Sequence, residues 1–208
     1  NVGDGAFGEN LVVDGIDFRA LPVGTRLYAG TVELRMTQIG KECHSHCEIY
    51  KKMGDCIMPR EGVFARVLEP GTISVGDEMT IVPREGHFPW QAAVITLGES
   101  GSGEPIAKRL RDAGYTVVEE PAIPDDVRVL KQQLMRLCDQ RQLDLILVTG
   151  GAGSAAQEAM LAVSDKPAPG IASAVIRGKT LIAADPEEHM DALMDSAPQV
   201  MESLRNGR

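Results

Sequence analysis

The stretch that decides the fold is Leu143-Asp144-Leu145-Ile146-Leu147-Val148-Thr149-Gly150-Gly151, an almost continuous apolar run that leads directly into glycines. An apolar run without polar alternation is typical of a strand buried on both faces of a parallel sheet. Glycines after such a strand let the backbone approach a ligand, and the N–H groups that open the following helix favour an anion. The run therefore predicts a parallel sheet with a ligand site at the carboxyl end of one strand.

Strands and helices alternate around this run from Gln91 to the end of the chain. The patterns predict strands over residues 92–97, 115–119, 143–148 and 180–184. They predict helices over residues 104–113, 125–140 and 156–163, and a last helix carrying residues 190–204. Alternation of this kind gives a parallel sheet covered on both faces. We therefore expect a three-layer α/β domain with a mostly parallel sheet over residues 91–208.

The first 84 residues have a different pattern, in which short strands are separated by glycine turns. The predicted strands cover residues 10–13, 26–29, 31–39, 62–68 and 78–82. Regular short strands with such breaks indicate a β-barrel or a sandwich. Two prolines and a glycine interrupt residues 83–90, so we place a linker at residues 85–90 between a first domain (1–84) and the α/β domain.

Composition limits the classes of function. The chain has 30 acidic and 21 basic residues and a net charge of −9, which argues against a nucleic-acid partner. No apolar run is long enough to span a bilayer and no basic-then-apolar leader opens the sequence, so we expect a cytoplasmic protein. Four cysteines are too few for a disulfide scaffold.

The glycine turn after the third strand and the pair Asp125-Asp126 are the candidate sites of the α/β domain. The turn lacks the Gly-Lys-Ser/Thr ending of a P-loop and matches a dinucleotide fingerprint only weakly, so either a bound phosphate or a tight turn without a ligand explains it. One aspartate suits a helix N-cap. The other suits a carboxylate that holds Mg²⁺ on a nucleotide.

A cluster of thiols and imidazoles marks the first domain. It comprises Cys43, His44, His46, Cys47 and Cys56. These ligand types suit a zinc or iron site, although adjacent Cys43 and His44 do not have the usual spacing of a zinc site. The alternative is a reactive or persulfide-carrying thiolate, because Lys41 and the imidazoles favour the ionised thiol. Cys138, on an apolar helical face, is predicted to be core.

The first domain resembles the MOSC family, β-barrels related to the C-terminal region of molybdenum cofactor sulfurases. The resemblance rests on Phe7-Gly8-Glu9-Asn10-Leu11, Leu21 to Thr25, Thr37 to Cys43 and Gly76-Asp77. It implies an N-terminal β-barrel that is incomplete, because the family's first strands are absent. It also implies that Cys43 carries or transfers sulfur, although Lys41 stands where many relatives have a Pro-Arg-x-x-Cys pattern.

Residues 91–208 resemble the molybdopterin-binding domain of molybdopterin adenylyltransferases. The resemblance rests on Ile123-Pro124-Asp125-Asp126, Asp144 to Gly153, and Ile176 to Ile182. It implies that Asp125 is the catalytic carboxylate for magnesium and nucleotide. The cofactor-binding residues it implies are Ser102, Gly103, Asp126, Thr149, Gly150, Gly151, Gly153 and Ser154. Ala152 replaces a threonine of active relatives, no second aspartate follows, and the stretches before Ser102 and between Ala174 and Ile176 are shorter than in relatives.

Together the resemblances imply a protein of molybdenum cofactor biosynthesis or maturation with a pterin ligand and Mg·ATP as a further cofactor. A molybdoenzyme or a sulfur donor would be the protein partner, and the relatives imply a trimeric homo-oligomer. Two alternatives remain open: a non-catalytic carrier of the cofactor, which the missing aspartate favours, and a dinucleotide-dependent oxidoreductase built on Gly151 and Gly153.

Overall fold

The chain is described by a computed structural model that covers residues 3, 5, 7–40, 50–51, 58–82, 89–98, 103–151, 154–184 and 186–206. It divides into two compact units, Asn1–Gly86 and His87–Arg208. We call them unit 1 and unit 2. The domain and linker boundaries expected from the sequence (1–84, 85–90 and 91–208) stay predictions.

Unit 1 contains an antiparallel sheet of four strands in the described residues. They are β1 (Arg26–Ala29), β2 (Val32–Ile39), β3 (Val63–Glu69) and β4 (Met79–Val82), in the order β3-β2-β1-β4. A 3-10 turn (Phe18–Ala20) and one short helix, α1 (Met58–Glu61), accompany them. Alternate residues of β1 are exposed and buried, as expected for a sheet with one face on a core. Closure of this sheet into a barrel stays a prediction.

The prediction of a strand over residues 10–13 is wrong, because these residues have no strand partner in the described chain. The segment before it is shaped by Glu9, whose carboxylate accepts hydrogen bonds from the backbone N–H groups of Gly5 (2.6 Å) and Phe7 (2.9 Å). Backbone hydrogen bonds, from the N–H groups of Glu9 itself, Gly5 and Phe7, hold the pKa of this carboxyl below its usual value. The Phe-Gly-Glu-Asn motif thus encodes a turn.

In its described residues, unit 2 is built on a seven-stranded sheet with the order β6-β5-β8-β11-β10-β9, where the short β7 also pairs with β5. The strands are β5 (Gln91–Leu97), β6 (Thr116–Glu119), β7 (Ala122–Ile123), β8 (Leu145–Gly150), β9 (Lys166–Pro167), β10 (Ala174–Arg177) and β11 (Thr180–Ala184). The helices are α2 (Gly103–Asp112), α3 (Val127–Met135), α4 (Ser154–Val163) and α5 (Pro186–Asn206). Pairing is parallel except at β10, which runs antiparallel to β9 and β11.

Alternate residues of the central strands enter two separate cores. Val94 and Leu147 pack in a cluster with Leu110 of α2 and Leu193 of α5. Their neighbours in sequence pack on the other face, in a cluster that contains Leu130 of α3 and Ala159 of α4. The predicted three-layer α/β arrangement with a mostly parallel sheet is therefore confirmed.

The helix expected over residues 125–140 starts later and ends differently. It begins at Val127, and after Met135 it continues as a π-helical turn, Arg136–Gln140. Cys138 on this turn is buried, as predicted, and burial raises the pKa of its thiol to about 12. None of the described helices is long and apolar enough to cross a membrane.

Candidate functional site

The site predicted in unit 2 forms where three neighbouring parallel strands end. The register places Leu97 of β5 beside Gly150 of β8 on one side and Ile123 of β7 on the other. The N–H of Gly98 donates to the carbonyl oxygen of Ile123 at 2.9 Å, which holds the end of β5 against β7. We call this end of the sheet the carboxyl edge.

The glycine turn after β8 needs glycine for two reasons. Gly150 and Gly151 have φ values of +79° and +74°, a left-handed conformation that side chains disfavour. A Cβ atom on Gly151 would also lie 2.9 Å from the Cγ atom and from both carboxylate oxygens of Asp125. The backbone of the turn therefore approaches a carboxylate as closely as only glycine allows.

The two neighbouring aspartates have separate positions. Asp126 caps α3, since its Oδ1 accepts hydrogen bonds from the N–H groups of Arg128 (2.8 Å) and Val129 (3.1 Å). Hydrogen bonds from Val129 and Arg128 hold the pKa of Asp126 below its ordinary value. Asp125 is exposed and lies against Gly151. The cap predicted for this pair is thus Asp126, and Asp125 is the aspartate at the glycine turn.

A second close approach lies at the start of α2. A Cβ atom on Gly103 would lie 2.2 Å from Oγ1 of Thr96, so only glycine lets the helix begin this close to β5. Thr96 is beside Thr149 in the parallel register, and both threonines are buried. Thr96 was not among the predicted site residues, although a polar residue near the carboxyl end of a buried strand is a usable signal.

Several predicted residues lie outside the described part of the chain. Ser102 and Gly153 are among them, and Ser154 opens α4 without a described side chain. Cys43 and the rest of its cluster, His44, His46, Cys47 and Cys56, also lie outside. Among the described residues, the fold brings together Asp125, Gly103, Gly150 and Gly151 at the carboxyl edge, with Thr149 as the last buried position of β8.

The described donors of this edge are of the kinds that bind an anion together with a cation. Within the described ranges, no group of three or more His, Cys, Asp or Glu side chains is placed to hold a metal ion. Magnesium usually takes one or two carboxylates and completes its shell with substrate phosphates and water. Asp125 places one carboxylate at this edge, and the glycine turn after β8 leads into α4, a position at which backbone N–H groups commonly hold phosphates.

Two family models match the chain. A model described as a MOSC domain matches residues 1–80, and one described as a probable molybdopterin binding domain matches residues 71–181, more than half of the chain.

Among solved structures, the molybdopterin biosynthesis enzyme MoaB of Thermus thermophilus is 20% identical, with 57% of this chain and 98% of that chain covered and a TM-score of 0.48. The molybdopterin biosynthesis Mog protein of Mycobacterium ulcerans is 20% identical, with 59% and 100% covered and a TM-score of 0.48. The tungsten cofactor synthesizing protein MoaB of Pyrococcus furiosus is 14% identical, with 58% and 100% covered and a TM-score of 0.46.

Proposed function

Since the chain belongs to the family of probable molybdopterin-binding domains, we propose that unit 2 binds molybdopterin at the carboxyl edge and adenylylates it with Mg·ATP. The chain also carries a MOSC domain before this domain, and it has a role in molybdenum cofactor biosynthesis. The observation that carries this proposal is the close approach of the Asp125 carboxylate to Gly151 in the glycine turn after β8.

The glycine turn has the role of holding the pterin phosphate. Backbone N–H groups of Gly150, Gly151 and Gly153 and the opening of α4 at Ser154 donate to the phosphate oxygens. Thr149, Ser102 and Gly103 are the further residues that we assign to binding of the pterin and the nucleotide. Because Gly150 is the last residue of β8, the sheet fixes the start of this turn and helps to position the phosphate before the reaction begins.

The reaction joins two phosphates. An oxygen of the molybdopterin phosphate attacks the α-phosphorus of ATP, a new P–O–P bond forms, and the bond to the β-phosphate breaks to release pyrophosphate. Magnesium, when bound, neutralises charge on the nucleotide phosphates. Asp125 would hold this ion, while Asp126 caps α3 beside it.

The proposed role of unit 1 is to carry sulfur on Cys43 or to present the cofactor to a molybdoenzyme. This step uses the thiolate that Lys41 and the neighbouring imidazoles favour. We further propose a homo-oligomer, trimeric as in the adenylyltransferases that the sequence resembles.

One specific observation favours a second candidate, a non-catalytic carrier of the cofactor. Ala152 stands where active relatives have threonine, and Ser154-Ala155-Ala156-Gln157 follows without an aspartate. A carrier would retain pterin binding by the backbone and would lack the second carboxylate.

The test compares the wild type with Asp125→Asn. Turnover of ATP to pyrophosphate in the presence of molybdopterin is expected in the wild type and reduced about a hundredfold in the variant, because the amide cannot neutralise the metal. Asp112→Asn is the matched control, since Asp112 is an exposed aspartate at the far end of α2 that pairs with Lys108.

The outcomes of this comparison separate the candidates. Tight pterin binding by the wild type without any pyrophosphate release supports the carrier. Equal binding and equal turnover in wild type and Asp125→Asn would rule out the role given to Asp125.

A further inference from the structure

Three arginines lie in one row across the sheet of unit 1. The antiparallel register places Arg26 of β1 opposite Arg35 of β2, and Arg35 opposite Arg66 of β3. Residues directly opposite each other point to the same face of a sheet, with their Cβ atoms about 5 Å apart. All three side chains are exposed. We call this set the arginine row.

Only Arg26 has a described partner. Its Nε donates to Oε1 of Glu33 and one terminal nitrogen donates to the Tyr28 hydroxyl at 3.0 Å. The Tyr28 hydroxyl in turn donates to Oε2 of Glu33 at 2.6 Å. Hydrogen bonds from Arg26 and Tyr28 hold the pKa of Glu33 below its usual value, so this buried carboxylate is ionised and occupied on both oxygens.

Arg35 and Arg66 have no ion pair or side-chain hydrogen bond within the described residues. The carboxylate of Glu69 belongs to the same part of the sheet, because Glu69 is opposite Glu33. A register shift between Glu33 and Leu34 separates that pair from the arginine row. Arg35 and Arg66 thus place two neighbouring guanidinium groups on this sheet, and no described carboxylate pairs with either of them.

Such a row costs stability, because like charges directly opposite each other in a sheet repel. It is a local exception in a chain whose net charge is −9. Sequences that break a local rule of this kind do so mainly at functional sites. Guanidinium groups present a planar fork of donors that matches the oxygens of a phosphate, and two adjacent forks can hold one dianion.

We propose that Arg35 and Arg66, with Arg26 at the end of the row, bind the phosphate dianion of a soluble phosphorylated small molecule. The acidic chain favours a soluble ligand over a lipid headgroup, since an anionic bilayer repels a net negative protein. This site is in unit 1 and is independent of the pterin site proposed for unit 2.

The test is a titration of the full chain with inorganic phosphate at low ionic strength, observed by NMR of ¹⁵N-labelled arginine side chains. The Nε–H signals of Arg35 and Arg66 are assigned by their loss in Arg35→Gln and Arg66→Gln. Both signals are expected to shift and to saturate in the wild type. Each substitution is expected to weaken phosphate binding about tenfold or more, since it removes a charge-assisted contact.

Arg19→Gln is the control, because Arg19 is an exposed arginine of the same unit whose partner is Glu61 at 3.7 Å. It should leave the phosphate titration unchanged. A melting measurement without phosphate adds a second readout: Arg35→Gln should melt above the wild type because it relieves repulsion, whereas a merely structural arginine would give a lower melting temperature.

Three results would overturn the proposal. One is the absence of saturation at Arg35 and Arg66. Another is an equal loss of affinity in Arg19→Gln, which indicates non-specific attraction. The third is binding to vesicles that contain phosphatidic acid but not to free phosphate. Asp125→Asn should not change the arginine signals, so failure here is distinguishable from failure of the pterin site.

Discussion

Gly151 combines two constraints, a left-handed backbone and a carboxylate that would lie 2.9 Å from any Cβ atom added to it. Alanine at a φ near +74° costs about 1–2 kcal/mol in any setting. At Gly151 the added methyl group would also displace Asp125, since it would come within 2.9 Å of the carboxylate. We expect Gly151→Ala to lower the free energy of unfolding and to abolish pterin binding. Urea unfolding and a binding titration measure the two effects.

Gly170→Ala is the control variant that separates the backbone strain from the approach to a carboxylate. Gly170 has the same φ of +74°, and a Cβ there would meet nothing within 4 Å. Its substitution should cost only the backbone strain and should leave pterin binding intact. If the two alanine variants lost the same stability and bound pterin equally well, the contact with Asp125 would have no role in the site.

The residue pattern alone identified the glycine turn and the aspartate pair as candidate sites of the α/β domain, but not that Asp125 lies against Gly151. It could not say which aspartate of the pair caps α3. That choice depends on the backbone angles of Asp126, whose extended conformation aims Oδ1 at the first N–H groups of the helix. The Cys43 cluster remains a sequence prediction, since it lies outside the described residues.

At the scale of the element, the start of α3 should depend on pH through its cap. The folded state lowers the pKa of Asp126, so the ionised carboxylate contributes stability above its unfolded pKa. This contribution disappears as the pH falls through the lowered value, below about pH 4. Asparagine also caps helices but does not titrate in this range. The melting advantage of the wild type over Asp126→Asn should therefore shrink from pH 7 to pH 3.

Melting curves of the two proteins at several pH values provide the measurement, with Asp112→Asn to correct for the loss of one surface charge. A difference between wild type and Asp126→Asn that stays constant over this range would mean that the Asp126 carboxylate does not stabilise α3 through its charge.

The strands that the sequence pattern did not predict are short, and their formation depends on the strands beside them. β10 is four residues long, and it pairs with β11 through a turn at Gly178, whose φ is +56°. Periodicity over four residues does not distinguish a strand from a loop. The long buried strands β5 and β8 were predictable because their apolar runs need cover on both faces. The end of α3 was not predictable from the sequence, since a π-helical turn has no strong signal in the residue pattern.

At the scale of the whole molecule, the two units differ in how much apolar surface they bury. In unit 2, both faces of the sheet have a large buried cluster. In the described part of unit 1, the buried cluster contains five residues, Leu27, Val32, Leu34, Met36 and Ile39. A cavity of about 960 Å³, lined by Leu27, Val32 and Leu34 among others, lies beside them. Because apolar burial is the main favourable term in folding, unit 1 should be the less stable unit.

Urea unfolding can separate the units, because the single tryptophan, Trp90, lies in unit 2. Trp90 is buried, and the Arg205 guanidinium stacks on its ring at 3.7 Å, so its fluorescence reports on the core of unit 2. Far-ultraviolet circular dichroism reports on both units. We expect the dichroism signal to begin to fall at a lower urea concentration than the fluorescence changes, since unit 1 unfolds first.

Two core substitutions assign these transitions to their units. Met36→Ala in unit 1 should shift only the early part of the dichroism curve to lower urea concentration. Leu145→Ala in unit 2 should lower the urea midpoint of the fluorescence curve, because it lowers the free energy of unfolding by about 2–5 kcal/mol. Coincident curves that both substitutions shift together would contradict the prediction, because they are the sign of a single cooperative transition.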